Sequence, residues 1–191
     1  MLTIYYSPHM ASVDNEAGRA SGHADVPLSA SGQQQARELG QHYASIPLAA
    51  VFCSDLQRAT ATSEIAFSAR GLPLVRDARL REYDYGTMTQ YPVAQVEAEF
   101  ARRIAEPFPN GESLLMVAQR VGAFLHDALR EYDGQTVCVI GHRATRWALE
   151  YWCGDASLDD IVRTPWQWRE IPIWRYEHRA DALDRRALAE A

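Results

Sequence analysis

The 191-residue sequence contains no lysine, so all 19 of its permanently basic residues are arginines. A lysine Schiff base and a phosphate loop that depends on lysine are therefore excluded. The net charge of −6 argues against a general binder of nucleic acid or anionic membranes, because such proteins attract phosphates with a basic surface. A phosphate handled by this protein has to meet a local group of arginines, whose forked donors suit its oxygens.

Cysteine is scarce, and long apolar runs are missing. The three cysteines, Cys53, Cys138 and Cys153, show no CxxC spacing, so neither a disulfide framework nor a zinc site is indicated. We predict core thiols in a reducing compartment. No apolar run approaches ~18 residues and no early segment resembles a signal peptide, so we expect a cytoplasmic protein without a membrane span.

Three apolar runs that end in polar residues predict buried strands: "LTIYYSP", "PLAAVFCSD" and "GQTVCVIGH". A helical pattern follows each of them, over residues 29–46, 56–71 and 143–154. Strands that alternate with helices are typical of a parallel sheet covered on its faces. The sequence therefore predicts an α/β fold, a three-layer sandwich with a mostly parallel central sheet flanked by helices.

The second half of the chain contains an excursion between Ala78 and Asn110 that could cover a site. Apolar spacing within it predicts a helix from about Val93 to Ile104. A long amphipathic helix over 111–132 and a late strand over 170–178 follow. We predict a domain of residues 1–178 and a polar C-terminal tail or frayed helix over 179–191.

Parallel strands place their carboxyl ends at one edge of a sheet, where ligands bind in open α/β folds. The predicted strands bring His9, Arg58 and His142 to that edge. A neutral imidazole nitrogen can act as a nucleophile, while a second, charged histidine and an arginine can stabilise phosphoryl oxygens. Taken alone, each histidine is better explained as a residue that caps a strand; only the surrounding motifs favour a functional role.

Those motifs occur in six blocks, at suitable spacing along residues 1–178. The first is the triplet Pro8-His9-Met10 with Asn15 six residues past the histidine. The others are "GHADVPLSASG", "CSDLQRATATSE", "LREYDYG", "PNGES" and "GHRATRW". In this order the blocks resemble the histidine phosphatase superfamily, also called the phosphoglycerate mutase-like family, in which the triplet reads Arg-His-Gly.

The resemblance implies a role for each matching residue. His9 corresponds to the nucleophile that accepts the phosphoryl group, His142 to the other pocket histidine, and Glu82 to the general acid. Arg58 corresponds to a phosphate ligand, and Asn15 to a residue that lines the pocket. The resemblance also implies a covalent phosphohistidine, no metal and no organic cofactor. The expected partner is a small phosphorylated molecule, not nucleic acid or a membrane, and a homodimer is possible.

The chain departs from the family pattern beside both histidines. Pro8 replaces the arginine that would bind the phosphoryl group, and Met10 and Arg143 replace the two glycines that follow the histidines. Proline supplies neither charge nor a backbone N–H. A charged hydrogen bond contributes roughly 1.5–3 kcal/mol, so its loss weakens phosphate binding about tenfold or more unless another group substitutes. Arg143 is the first candidate substitute, ahead of Arg19 and His23.

Three functions fit these observations. The first is a phosphatase that transfers the phosphoryl group of a small phosphomonoester through His9 to water. The second is a mutase that returns the group to its substrate, and the third is a pocket that binds an anion without turnover. The length of the chain and the short excursion favour the phosphatase, by resemblance only. Glu82 in an exposed turn and Arg58 on a helix surface are the simpler alternatives for those two residues.

Overall fold

A five-stranded sheet forms the centre of the structure, a computed structural model that describes residues 1–165 and 172–179. The strands are β1 (Leu2–Pro8), β2 (Ala50–Cys53), β3 (Leu74–Arg76), β4 (Thr136–Gly141) and β5 (Trp174–His178). Their order across the sheet is β3-β2-β4-β1-β5. β1, β2, β3 and β4 are parallel, and β5 runs antiparallel to β1. The sheet is thus mostly parallel, as predicted.

Helices cover both faces of this sheet. They are α1 (Val13–Glu16), α2 (Ala30–Tyr43), α3 (Gln57–Phe67), α4 (Val93–Glu97), α5 (Leu114–Tyr132), α6 (Arg143–Cys153) and α7 (Leu158–Arg163). α2 packs on α3, while α5 packs on α6. Each pair encloses its own cluster of buried apolar side chains against the sheet. The predicted three-layer α/β sandwich is therefore confirmed.

Successive residues of the central strands contribute to the two clusters in turn. In β2 and β4, Phe52 and Val139 belong to the cluster under α5 and α6, whereas Cys53 and Ile140 belong to the cluster under α2 and α3. A fully buried apolar side chain of this size contributes about 1.5–3 kcal/mol relative to an exposed one. Strands buried on both faces appear in sequence as continuous apolar runs, which is why these runs predicted them correctly.

The predicted helix from Val93 to Ile104 is wrong in its length, because α4 ends at Glu97. Phe100 is buried and packs edge-on against Trp147 of α6 at 5.1 Å between ring centroids. The carbonyl oxygens of Arg103 and Ile104 accept hydrogen bonds from the first two amides of α5. Residues 98–105 form turns, and both contacts are made from this turn segment.

Several short elements, among them β3 and α7, had no sequence prediction. β3 has only three residues and follows Gly71, whose φ of +63° lets the chain turn back towards the sheet. α7 begins after Ser157, whose hydroxyl accepts a hydrogen bond from the amide of Asp160. Of the predicted late strand, residues 172–178 are described, and β5 forms at Trp174–His178.

The predicted tail over 179–191 lies outside the described residues, apart from Arg179. The division into a domain of residues 1–178 and a tail therefore stays a prediction. Among the helices of residues 1–165 and 172–179, none combines the length and the apolar character needed to cross a bilayer.

Candidate active site

Three parallel strands end at the same edge of the sheet and deliver the candidate residues there. β1 ends at Pro8, and His9 follows it directly. β2 is followed by α3, whose second residue is Arg58, and β4 is followed by His142, the residue before α6. Glu82 reaches the same edge from the excursion, where its side chain contacts the start of α6. The structure thus brings His9, Arg58, His142 and Glu82 together.

The proline before His9 fits its place in the sheet. Pro8 lies opposite Gly141 of β4, and the pairing of β1 with β5 already ends at Tyr6. A residue without an N–H is tolerated where the strand has lost a neighbour on one side. The backbone N–H of His9 then donates to the carbonyl of Gly141 at 2.8 Å, which fixes the start of the loop.

The hydrogen bonds of His9 define its tautomer. Nδ1 lies 2.7 Å from the carbonyl oxygen of Met10, so it carries the proton and donates it there. Nε2 accepts a hydrogen bond from Nε of Arg58 at 3.2 Å. Burial and, after it, the charge of Arg58 lower the pKa of His9 to about 3. His9 is therefore neutral at physiological pH, with the lone pair of Nε2 in the site.

Arg58 is almost completely buried, with 1% of its surface exposed. Its two terminal nitrogens donate to the carbonyl oxygens of Ala24 and Gly22, at 2.9 and 2.8 Å. The motif "GHADVPLSASG" thus supplies backbone acceptors that orient the guanidinium. Together with the bond from Nε to His9, these contacts use three of its five N–H groups and leave two for a ligand. The alternative of an ordinary arginine on a helix surface is wrong.

His142 is fully buried beside His9, with 5.0 Å between the ring centroids. Neither of its ring nitrogens has a hydrogen-bond partner within residues 1–165 and 172–179. Burial and the charge of Arg58 lower the pKa of His142 well below its ordinary value, so this ring is neutral too. The expectation of a second, charged histidine is therefore not met. Unpaired buried nitrogens are rare in folded proteins and mark this ring as a candidate functional group.

Glu82 is buried, which rules out the alternative of an exposed turn. Its Oε1 accepts hydrogen bonds from the backbone amides of Tyr83 and Ala144, at 2.8 and 3.1 Å. The other oxygen is left for the cavity that Glu82 lines. Arg120 of α5 supports this segment by donating to the carbonyl oxygens of residues 79, 81 and 82. No sequence pattern indicates this role of Arg120, because its target carbonyls lie about forty residues away.

A cavity of about 620 Å³ opens in front of His9 and Arg58. Its wall combines polar residues of the α1 and α2 region with apolar residues of α2, α4 and the turn after α4. The polar members include Asn15, Glu16, Arg19, Gln35, Glu38 and His42, and the apolar ones include Leu39, Val93, Val96 and Phe100. α4 therefore covers the site, as expected of the excursion. In the described part of the chain, no three His, Cys, Asp or Glu side chains are grouped to hold a metal ion.

Asn15 and Arg143 line the cavity, as their sequence positions suggested. Oδ1 of Asn15 accepts hydrogen bonds from the amide and the hydroxyl of Ser12, both at 3.0 Å, so its amide nitrogen remains for a ligand. Arg143 forms an ion pair with Glu97 of α4, and its guanidinium lies over the ring of Phe100. A phosphate-binding role for Arg143 stays a prediction.

His23, the third candidate to replace the missing arginine, points elsewhere. Its Nε2 donates to the carbonyl oxygen of Glu82 at 2.8 Å, and its Nδ1 lies 3.6 Å from the carboxylate of Asp84. The ring does not line the cavity. His23 therefore supports the backbone at Glu82 from outside the cavity.

The layered α/β fold and the paired histidines at the carboxyl edge of its sheet agree with the class of phosphatases and mutases that the sequence resembles. The family model of the histidine phosphatase superfamily (branch 1) matches residues 6–188. The chain belongs to this superfamily.

Among curated relatives, the probable phosphoglycerate mutase GpmB of Citrobacter koseri is 31% identical over 150 residues, which cover 74% of this chain and 70% of that protein. Among solved structures, YhfR of Bacillus stearothermophilus is 25% identical with a TM-score of 0.81, covering 94% of this chain and 93% of that one. A putative α-ribazole-5′-P phosphatase from Escherichia coli is also 25% identical, with a TM-score of 0.72 and coverage of 84% and 83%.

Proposed function

We propose that this protein is a phosphatase that hydrolyses a small phosphomonoester through a phosphohistidine on His9. The observation that carries the proposal is the unprotonated Nε2 of His9 beside the buried guanidinium of Arg58, at the cavity. The Nε2 lone pair attacks phosphorus while the bond to the leaving oxygen breaks. Glu82, entering as the carboxylic acid, protonates that oxygen.

The second half of the reaction returns the enzyme to its starting state. Glu82, now a carboxylate, takes a proton from a water molecule that attacks phosphorus, and the P–N bond breaks. Inorganic phosphate leaves, and His9 is neutral again with its proton on Nδ1. Both steps keep the negative charge of the transferring group next to Arg58 and the ring of His142.

Arg58 and His142 stabilise the transferring oxygens in this proposal. The hydrogen bond from Nε of Arg58 to His9 has to be exchanged for one to a phosphoryl oxygen, because Nε2 cannot attack while it accepts this bond. His142 does not line the cavity, so its ring must become accessible when His9 or Arg58 shifts. Both its nitrogens are available for such a contact.

The charges of the cavity wall favour a phosphatase over a phosphoglycerate mutase, the function in the name of the curated relative. A phosphoglycerate carries a carboxylate besides its phosphate. The wall contains four glutamates and three arginines, and Arg143 is already paired with Glu97. A monoester with one anionic group suits this wall better. The name of the phosphatase from Escherichia coli supports the same choice.

The test is release of inorganic phosphate from a panel of phosphorylated metabolites, including nucleotide, sugar and amino-alcohol monophosphates. We expect steady release from at least one of them by the wild type and none by His9→Ala. His126→Ala, which removes an exposed histidine of α5, is the matched control and should keep full activity. Interconversion of 2- and 3-phosphoglycerate that outpaces hydrolysis would establish the mutase instead. If no substrate is turned over but vanadate still binds, the third function, a pocket that binds an anion without turnover, is favoured.

Cys53, Cys138 and Cys153 are free thiols, which supports the further proposal that the protein acts in the reducing cytoplasm.

A further inference from the structure

Three arginines line the cavity, and their side chains are engaged to different degrees. Arg58 donates to two carbonyl oxygens and to His9, and Arg143 is paired with Glu97. The guanidinium of Arg19 has no hydrogen bond or ion pair with any residue of 1–165 or 172–179. Arg19 is therefore the arginine of this wall whose donors are all available to a ligand.

The backbone around Arg19 is held in place although its side chain is exposed. The amide of Arg19 donates to the carbonyl oxygen of Asp14 at 2.9 Å. The residues on either side, Gly18 and Ala20, are hydrogen-bonded to Val93 and Tyr91, at 3.0 and 2.9 Å. Gly18 has a φ of +65°, which lets the chain leave α1 and meet this segment. The side chain of Arg19 is exposed at the cavity wall, and no contact with the described residues fixes its position.

The charge at His9 calls for a second cation. A bound phosphoryl group carries up to two negative charges, while His9 and His142 are both neutral. Arg58 then supplies one positive charge, and the nearby Glu82 carboxyl adds none. Phosphoryl transfer is accelerated mainly by positive groups placed at the transferring oxygens. The residue that the resemblance would use for this purpose is Pro8, which has no charge.

We propose that Arg19 is the second phosphoryl ligand of the site and replaces the arginine that is absent at Pro8. The proposal rests on the proposed function for the nature of the anion, a phosphoryl group held at His9. To bind the phosphoryl group, Arg143, the first candidate by sequence position, would have to break its ion pair with Glu97 and leave that carboxylate uncompensated. Arg19 has no such partner to give up and can direct two parallel N–H groups at one phosphoryl oxygen pair.

The test is the affinity for orthovanadate and for inorganic phosphate, measured by calorimetry. Arg19→Ala should weaken the binding of both anions by about tenfold or more, the effect expected of one lost charged hydrogen bond. Arg37→Ala removes another exposed arginine, which lies on α2 outside the cavity wall, and should leave both affinities unchanged. Arg19→Lys keeps the charge and should recover part of the loss. Thermal unfolding checks that every variant is folded.

The readout separates this proposal from the proposed function, because vanadate binding needs no turnover. If Arg19→Ala binds vanadate as tightly as the wild type does, the proposal is overturned, whether or not the protein releases phosphate through His9. If the wild type binds neither anion, the proposal is overturned as well. If Arg19→Ala loses affinity although no phosphomonoester is hydrolysed, Arg19 stands as an anion ligand and the phosphatase proposal fails.

Discussion

Arg58 donates a hydrogen bond from its Nε to Nε2 of His9 over 3.2 Å. The two residues come from different strand ends, and the bond joins the nucleophile of the proposed reaction to its buried cation. A guanidinium always carries its proton, so this contact favours an unprotonated Nε2. The same contact has to break when phosphorus approaches. The pair therefore keeps the nucleophile ready and couples its release to the arrival of an anion.

His9 should become phosphorylated during turnover. Rapid acid-free quenching with labelled substrate should trap a phosphoryl group that is stable in base and labile in acid, as expected of a phosphoramidate. His9→Ala should show neither the label nor turnover. Because every proposed step uses a side chain of this protein, a chelator should leave the rate unchanged. Label on a different residue, or full turnover by His9→Ala, would contradict the covalent mechanism.

Replacement of Glu82 by glutamine tests proton donation to the leaving oxygen. Glutamine keeps an oxygen acceptor for the amides of Tyr83 and Ala144, so the fold should persist. General acid catalysis contributes about 10²–10⁴-fold, so Glu82→Gln should slow alkyl phosphates by about 100-fold or more. An aryl phosphate with a good leaving group needs little protonation and should lose much less. Equal losses of kcat/KM on both substrates would argue against the acid role.

Stability should fall as the pH is lowered through the range in which His9 is neutral only in the folded state. Its pKa is about 3 when folded, while the unfolded chain takes up the proton near pH 6.5. Between these values the unfolded state binds more protons, so the free energy of unfolding decreases by about 1.4 kcal/mol per pH unit as the pH falls.

The measurement is urea unfolding at pH 7 and pH 5 for the wild type, His9→Asn and His126→Asn. Removal of His9 takes away one protonation of the unfolded state, so His9→Asn should lose about 2 kcal/mol less than the wild type between the two pH values. His126 is exposed on α5 and its substitution should change the difference little. Identical pH dependence in all three proteins would show that His9 is protonated equally in both states.

The loop after His9 depends on a close approach to α2 at Gly32. A β-carbon at Gly32 would lie 1.9 Å from the carbonyl oxygen of Ala11, which also accepts the amide of Ser29. Gly to Ala inside a helix ordinarily stabilises by about 1 kcal/mol. Here the clash should make Gly32→Ala destabilising by about 1–3 kcal/mol and displace the His9 loop. Thermal unfolding and vanadate affinity should both fall, while Gln33→Ala on the exposed side of α2 should leave them unchanged.

The main strands of the sheet and the grouping of the candidate site residues were predictable, because both depend on patterns within short segments. Buried parallel strands appear as apolar runs, whose carboxyl ends place His9, Arg58 and His142 at one edge of the sheet, and the surrounding motifs single these residues out as candidates. The length of α4 was not predictable, because it is set by the burial of Phe100 against side chains from distant segments. β3, with three residues, is too short to give a periodic signal.

The ranking of the candidate cations was also limited by contacts between residues that lie far apart in the sequence. Sequence position favoured Arg143, which directly follows His142. Its ion pair joins it to Glu97, 46 residues earlier, and no local pattern announces a partner at that distance. Likewise, the fixed backbone of Arg19 depends on hydrogen bonds to residues 91–93. Candidate ligands can be selected by residue type and motif, whereas the availability of their side chains depends on long-range contacts.

Restoring an arginine at position 8 tests what its absence costs. Pro8 is buried and lines the cavity beside His9, so Pro8→Arg should place a guanidinium near the phosphoryl position. If the site lacks a ligand, vanadate binding should strengthen by about tenfold or more. The gain should be larger in the Arg19→Ala background, where the proposed substitute is missing, because two guanidinium groups otherwise crowd one anion. Arg143→Ala serves as the third background. If Arg143→Ala binds vanadate as tightly as the wild type, Arg143 is ruled out as the substitute. If Arg143→Ala instead loses affinity sharply, and Pro8→Arg gives no gain in any folded background, the substitute role belongs to Arg143.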